Sequence, residues 1–278
     1  MKAIKSDEKL HCRTIWISDV HLGSRHSKAS ELLQLFERIE FETLYLVGDI
    51  VDLLAMKRRV HWPNTHNKVL REIMKLSRRS GSRVIYVPGN HDYAFRTLVG
   101  GALGDMDIKR SVEHVTACGR RLLVIHGDEL DYAVRYSKLN RFLGDFAYGV
   151  LMVANHWVVS LRRMLGWRYW SLAGWVKNHV SQAGEAIAAY QDAALRMAKE
   201  KGFDGVVCGH LHYPSLYERN GLVYANDGDW VENCTALVED ATGQLRLLRG
   251  ISNPEAADKM IFVDANTPQT GLSGVTAQ

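Results

Sequence analysis

Apolar runs and the residues that break them give the chain two rhythms. In its first part, β-branched runs alternate with amphipathic ones. Residues 13–18 (RTIWIS), 43–47 (TLYLV) and 83–87 (RVIYV) are nearly continuous apolar runs, each predicting a strand buried on both faces. Between them, residues 27–40 space Leu32, Leu33, Leu35 and Phe36 as a helix does, with Ser27 or Ser30 as its cap. Residues 65–79 predict a second helix, closed by Ser80-Gly81. This alternation predicts a sheet covered by helices. The rhythm then changes: residues 112–117 and 121–125 predict a hairpin across Cys118-Gly119-Arg120. From Asp131 to Lys201 there is no strand signal. Residues 205–208 (GVVC) resume it, followed by short strands near 215–217, 222–225, 234–238 and 245–248. Turns are predicted at Arg219-Asn220-Gly221 and Ala241-Thr242-Gly243. Residues 251–278 lack periodicity and are expected to form a flexible tail.

Composition narrows this little. The chain has 278 residues, 46% hydrophobic and 24% charged, as expected of a globular protein with a large core. Cys12, Cys118, Cys208 and Cys234 have no zinc-ribbon spacing and read as reduced structural thiols of a cytoplasmic protein. Residues 1–12 are polar and do not read as a signal peptide, and no stretch of about 18 apolar residues predicts a membrane span. The net charge of +4 is small, but it is unevenly spread.

Five polar motifs follow predicted strands: Asp19-Val20-His21, Gly48-Asp49, Gly89-Asn90-His91-Asp92, His126-Gly127-Asp128 and Gly209-His210-Leu211-His212. A single Asp, Asn or His at such a place is ordinarily a turn former, a cap or a solvated group. Five in succession point instead to short ligands converging on one crevice. Asp19, His21, Asp49, Asn90, His126, His210 and His212 offer seven O and N groups, more than one tetrahedral zinc uses. They suit two adjacent transition-metal ions, with Asp49 or a water between them. The donor mix favours Mn, Fe, Zn or Co over Mg or Ca, with Mn2+ placed first. Two ions ~3.5–4 Å apart can hold a bridging hydroxide and clamp a phosphoryl group for in-line attack, so no protein nucleophile is required. Asp52 and Asp128 each have two readings, as the partner of a ligating His or as the cap of the next helix.

The ordered set D-x-H, G-D, G-N-H-D, H and G-H-x-H resembles the calcineurin-like metallophosphoesterase superfamily. The resemblance implies a four-layer α/β/β/α sandwich with a dinuclear site at the strand ends. It implies that Asp19, His21, Asp49 and His212 hold one metal, and Asp49, Asn90, His126 and His210 the other. It also implies catalytic roles for His91, which protonates the leaving oxygen or stabilises the phosphoryl oxygens, and for Asp92, which positions it.

Residues 131–201 read as an inserted helical cap on a core made of 1–130 and 202–250. Within 133–184, seven cations, among them Arg162, Arg163 and Arg168, face one acid, Asp145, so the rest of the chain is slightly acidic. Ten of the chain's 25 aromatics lie between Tyr132 and Trp175. Apolar, aromatic and basic helices suit a membrane surface or a lipid with an anionic head. The alternative is a helical subdomain packed on itself. Nucleic acid is disfavoured, because residues 150–165 are too apolar for a phosphate-tracking groove.

An insertion after His126-Gly127-Asp128, together with Ile17-Ser18-Asp19-Val20-His21-Leu22-Gly23, is similar to the UDP-2,3-diacylglucosamine diphosphatases of lipid A synthesis. This resemblance implies cleavage of a pyrophosphate in a lipid-linked substrate, by an enzyme that is cytoplasmic and able to lie peripherally on the inner membrane face. One departure is His91, where those enzymes carry Arg. The alternative is a phosphodiesterase or phosphomonoesterase acting on a soluble nucleotide or other phosphoester. Outside enzymes, the rival is a scaffold that keeps the fold without the chemistry; the intact ligand set argues against it. Arg96 and the Lys57-Arg58-Arg59 cluster stand out as phosphate contacts ahead of Arg25, His26 and His61. Asn226-Asp227-Gly228-Asp229-Trp230 is either the rim of the site or a plain turn.

Overall fold

The computed structural model describes residues 3–4, 9–131, 173–249 and 260–263. Its strands are β1 (Ala3–Ile4), β2 (Leu10–Ile17), β3 (Ile39–Leu46), β4 (Arg83–Tyr86), β5 (Ala102–Leu103), β6 (Met106–Ile108), β7 (Val112–Val115), β8 (Arg121–Val124), β9 (Gly205–Cys208), β10 (Ser215–Arg219), β11 (Leu222–Asn226), β12 (Thr235–Glu239), β13 (Leu245–Arg249) and β14 (Met260–Val263). Helices are α1 (Ala29–Arg38), α2 (Leu53–Arg58), α3 (Asn64–Ser77) and α4 (Ala173–Glu200), with a 3-10 helix at Tyr93–Leu98.

Nine strands form one sheet in the order β1-β14-β13-β12-β2-β3-β4-β6-β5, and five form a second in the order β10-β11-β9-β8-β7. Strands β2, β3, β4 and β6 run parallel, as do β8, β9 and β11. Strand alternation sorts the apolar residues into two cores. Ile15 and Ile17, Leu44 and Leu46, Val84 and Tyr86 pack with Leu32, Leu35 and Phe36 of α1 and Val69 and Ile73 of α3. Trp16, Tyr45 and Ile85 point the other way, against Leu122, Val124, Val207 and Ala225 of the second sheet. Leu123, Val206 and Tyr224, on that sheet's outer face, are also buried. The fold is therefore mixed α/β, two sheets with helices, consistent with the expected metallophosphoesterase sandwich.

The chain divides into two compact units, Met1–Asp128 with Met197–Gln278, and Glu129–Arg196. The first carries both sheets. The basic, aromatic part of the expected cap, 132–172, lies outside the described residues. The expectation of a flexible tail over 251–278 is corrected at Met260–Val263. That segment pairs with β13 in register Leu247↔Val263 and with β1 in register Ala3↔Ile261; the remainder of the tail lies outside the described residues. None of the four cysteines is in a disulfide bond; Cys208 and Cys234 are buried, whereas Cys118 is exposed on the β7–β8 turn.

Candidate metal centre

The loops after β2 and β3 are laced side by side. Asp19 N–H donates to Gly48 O (3.0 Å), His21 N–H to Asp49 O (2.8 Å) and Leu22 N–H to Ile50 O (2.9 Å). This lacing forces unusual backbone. Asp19, His21, Asp49, His210 and His212 have φ of 50°, 51°, 54°, 68° and 51°. Left-handed geometry costs a non-glycine residue ~1–3 kcal/mol, and five of the seven predicted ligands adopt it, a clustering of strain of the kind found at functional sites. Backbones also approach closely: a Cβ on Gly89 would meet Asp49 Oδ1 and His126 Nε2, and one on Gly48 would meet the His126 ring.

The structure brings the seven predicted residues together in two overlapping groups. In one, His212 Nε2 lies 3.1 Å and His21 Nε2 3.7 Å from Asp19 Oδ1. The two Nε2 atoms are 3.4 Å apart. In the other, His126 Nε2 lies 3.2 Å from Asn90 Oδ1 and 3.4 Å from Asp49 Oδ2, and the His210 ring lies 5.1 Å from that of His126. Asp49 Oδ2 is also 3.9 Å from His21 Nε2, so one oxygen stands between both groups.

Tautomers follow from the remaining bonds. His126 Nδ1 lies 2.8 Å from Val47 O, which can only accept, so Nδ1 carries a proton and Nε2 offers its lone pair. His21 Nδ1 is held 3.0 Å from Asp52 Oδ2, which likewise turns its Nε2 lone pair inward. Asp19 Oδ1 is buried without a hydrogen bond. Lone pairs thus face lone pairs, an arrangement that a cation resolves. Ionisation agrees. Burial disfavours charge on His21 and His126, but neighbouring carboxylates outweigh it and raise both imidazoles to about 10, so protons compete with a cation for the same Nε2 lone pairs. Burial likewise opposes ionisation of Asp19 and Asp49, but the surrounding histidines keep both carboxyls below their ordinary range. The groups Asp19–His21–His212, His21–Asp52–His91 and Asp49–His126–His210 could each hold a metal ion.

His91 shows where neighbours in sequence misled. Its Nδ1 lies 2.8 Å from Asp52 Oδ1, and its side chain is a third exposed. The expected positioning by Asp92 is not made on the ring: Asp92 is fully buried and accepts from Tyr86 OH, Gly89 N–H (2.6 Å) and Ile50 N–H (2.8 Å). It braces the loop beneath the site, because the backbone after β4 turns its carboxylate inward. Asp52 makes both predicted contacts, to a candidate ligand and to the next helix. Its oxygens hold His21 and His91, and Oδ1 also accepts from Ala55 N–H (2.7 Å) at the start of α2.

Other candidates moved. Arg96 is paired with Asp128 (2.7 and 2.8 Å) and bonded to Pro88 O, so it ties two site loops together. Lys57 lies over the Tyr93 ring at 5.3 Å. The Asn226–Trp230 turn is an inner wall of the site: Asn226, Asp227, Asp229 and Trp230 are fully buried. Sequence reasoning missed His66, whose Nδ1 accepts from Gly23 N–H (3.1 Å) and so anchors the first loop. It sits on the predicted second helix, with no local signal to distinguish it from other helical histidines.

A family model for calcineurin-like phosphoesterases matches residues 12–214. Among curated proteins, the chain is similar to the UDP-2,3-diacylglucosamine hydrolase of Psychromonas ingrahamii. The two are 24% identical over 241 residues, which cover 80% of this chain and 91% of that protein. It is similar also to the protein of that name from Neisseria gonorrhoeae, at 27% over 231 residues, covering 77% and 88%. Among solved structures, it aligns with a Vps29 mutant from Entamoeba histolytica at 11% identity and a TM-score of 0.45, covering 90% of this chain and 99% of that one.

Proposed function

The chain belongs to the calcineurin-like phosphoesterase family and is a metal-dependent phosphohydrolase; from that premise we propose that it holds two divalent ions and hydrolyses a pyrophosphate or phosphoester bond in a lipid-linked substrate. Asp19, His21, Asp49 and His212 would hold one ion, and Asp49, Asn90, His126 and His210 the other. The observation that carries this reading is the place of Asp49 Oδ2, 3.9 Å from His21 Nε2 and 3.4 Å from His126 Nε2. Two such ions, when bound, act as Lewis acids on the phosphoryl oxygens and lower the pKa of water for in-line attack. Mn2+ suits the mixed carboxylate, amide and imidazole donors.

The side chains supply the remaining chemistry. Asp52 holds the His91 ring by Nδ1 and leaves Nε2 to give a proton to the leaving oxygen or to bind a phosphoryl oxygen. Asp92 fixes the backbone that presents His91 and Asn90. Asp52 also fixes His21, so one carboxylate aligns a metal ligand and a proton donor.

Relatives named UDP-2,3-diacylglucosamine hydrolase, matched over most of the chain, support a lipid-linked nucleotide as substrate. So does the basic, aromatic stretch within residues 131–201, which we read as a cap for acyl chains and an anionic head. Peripheral contact with a membrane through this cap follows from the same composition. Among the described residues no helix is long and apolar enough to cross a membrane. A second reading, a phosphodiesterase or phosphomonoesterase on soluble substrates, rests on His91, which gives the general family motif in place of Arg. The Mn2+-loaded protein separates the two. Hydrolysis of UDP-2,3-diacylglucosamine that is stimulated by detergent micelles supports the lipid reading. Turnover of soluble nucleotides at an equal rate, indifferent to micelles, supports the second.

A further inference from the structure

Asp19 needs one carboxylate oxygen bare to face an ion, so the other must be held by donors. Oδ2 accepts from His210 N–H (2.8 Å) and lies 2.5 Å from Ser18 Oγ. Ser18 Oγ has two further oxygen neighbours, Asp227 Oδ1 at 2.6 Å and Gly228 O at 3.1 Å. A hydroxyl carries one proton, and here three acceptors surround it. The 2.5 Å contact has the length of an O–H···O⁻ bond, so that proton belongs to Asp19. The 2.6 Å contact then lacks a proton unless Asp227 brings one. Asp227 is fully buried, and its Oδ2 has no hydrogen-bond partner among the described residues. An ionised carboxylate left with a bare buried oxygen is costly, whereas a neutral acid tolerates it. Burial accordingly pushes the Asp227 carboxyl well above its ordinary range.

We propose that Asp227 is a positioning residue for Asp19, acting as a neutral carboxylic acid that donates to Ser18 Oγ so that Ser18 donates to Asp19 Oδ2. The relay locks the carboxylate with Oδ1 turned toward His21 and His212. Gly209 packs directly on it, since a Cβ there would meet Ser18 Oγ and Asp19 Oδ2. The proposal rests on the metal-binding role of Asp19 argued above.

The test is Mn2+ binding to the full-length, chelator-stripped protein, followed by titration calorimetry, with folding checked by circular dichroism. Asp227→Asn keeps a donor toward Ser18 and is expected to bind the tighter Mn2+ within about threefold of the parent. Asp227→Val and Ser18→Ala break the relay from opposite ends, and each is expected to weaken it about 10–100-fold, the usual range for partners behind a metal ligand. The double variant should be no weaker than the poorer single one, because both remove the same relay. Should Asp227→Val fail to fold, Ser18→Ala and Asp227→Asn still decide. Asp227→Asn binding as poorly as Ser18→Ala, or Ser18→Ala binding like the parent, overturns the proposal while the metal site stands. A parent that binds no Mn2+ overturns the metal reading, and the relay with it.

Discussion

Asp52 does three jobs with two oxygens: it caps α2, holds His21 and holds His91. Its sequence position allowed either a cap or a histidine partner, because the two readings need the same residue type at the same strand end. The structure shows that they coexist. Asp52→Asn can still cap the helix, so it should lower stability by no more than ~1 kcal/mol. It cannot accept from both imidazoles, so metal affinity should fall about 10–100-fold; titration calorimetry and urea melts measure the two effects separately. His126→Ala and Asn90→Ala remove donors facing Asp49 and are expected to reduce phosphohydrolase activity by more than ~100-fold while the fold persists, as assayed by turnover and circular dichroism. The candidate ligands were legible as a set because each carries its type and its place after a strand. The Asp52–His91 pairing was not, since the contact joins two loops 39 residues apart.

Strands and helices were legible where period and length agreed. Ile15, Ile17, Leu44 and Leu46 on one face, and Trp16 and Tyr45 on the other, make β2 and β3 buried on both sides, as their continuous apolar runs imply. The six-residue α2 and the two-residue β5 are too short to show any period. Between the two sheets, another buried cluster was invisible in sequence. Glu239, at the end of β12 and fully buried, accepts from Arg13 Nη1 (2.9 Å), His114 Nε2 (2.9 Å) and Ala117 N–H (2.6 Å), while Tyr45 OH donates to His114 Nδ1 (3.1 Å). Burial raises the Glu239 carboxyl, but the bonds from His114 and Ala117 outweigh it and hold the group below its ordinary range. A depressed carboxyl stabilises the fold above the unfolded value of ~4.3 and loses that contribution as pH falls through the folded one. Glu239→Gln should therefore cost roughly 3–5 kcal/mol in urea unfolding at pH 7, and the gap to the parent should narrow below about pH 4. A gap that stays constant with pH would contradict an ionised Glu239.

At the scale of the molecule, the alternation of runs gave a helix-covered sheet and the motif resemblance implied the second one, whereas β14 could not be read. Residues 260–263 form a strand by pairing with β13 and β1, and such long-range pairing leaves no trace in a four-residue run. The choice of substrate also belongs to this scale. Removing residues 133–184, which carry seven cations against one acid, should abolish hydrolysis of the acylated nucleotide and spare a small chromogenic phosphoester. Equal loss of both would count against a lipid-binding cap. The centre itself is tested most directly by counting Mn2+ bound to the chelator-stripped protein, by titration followed by elemental analysis. Two ions per chain, with one group of ligands lost in His126→Ala and the other largely retained, is the predicted result. A single ion per chain, or a His126→Ala protein that binds two and remains fully active, would contradict it.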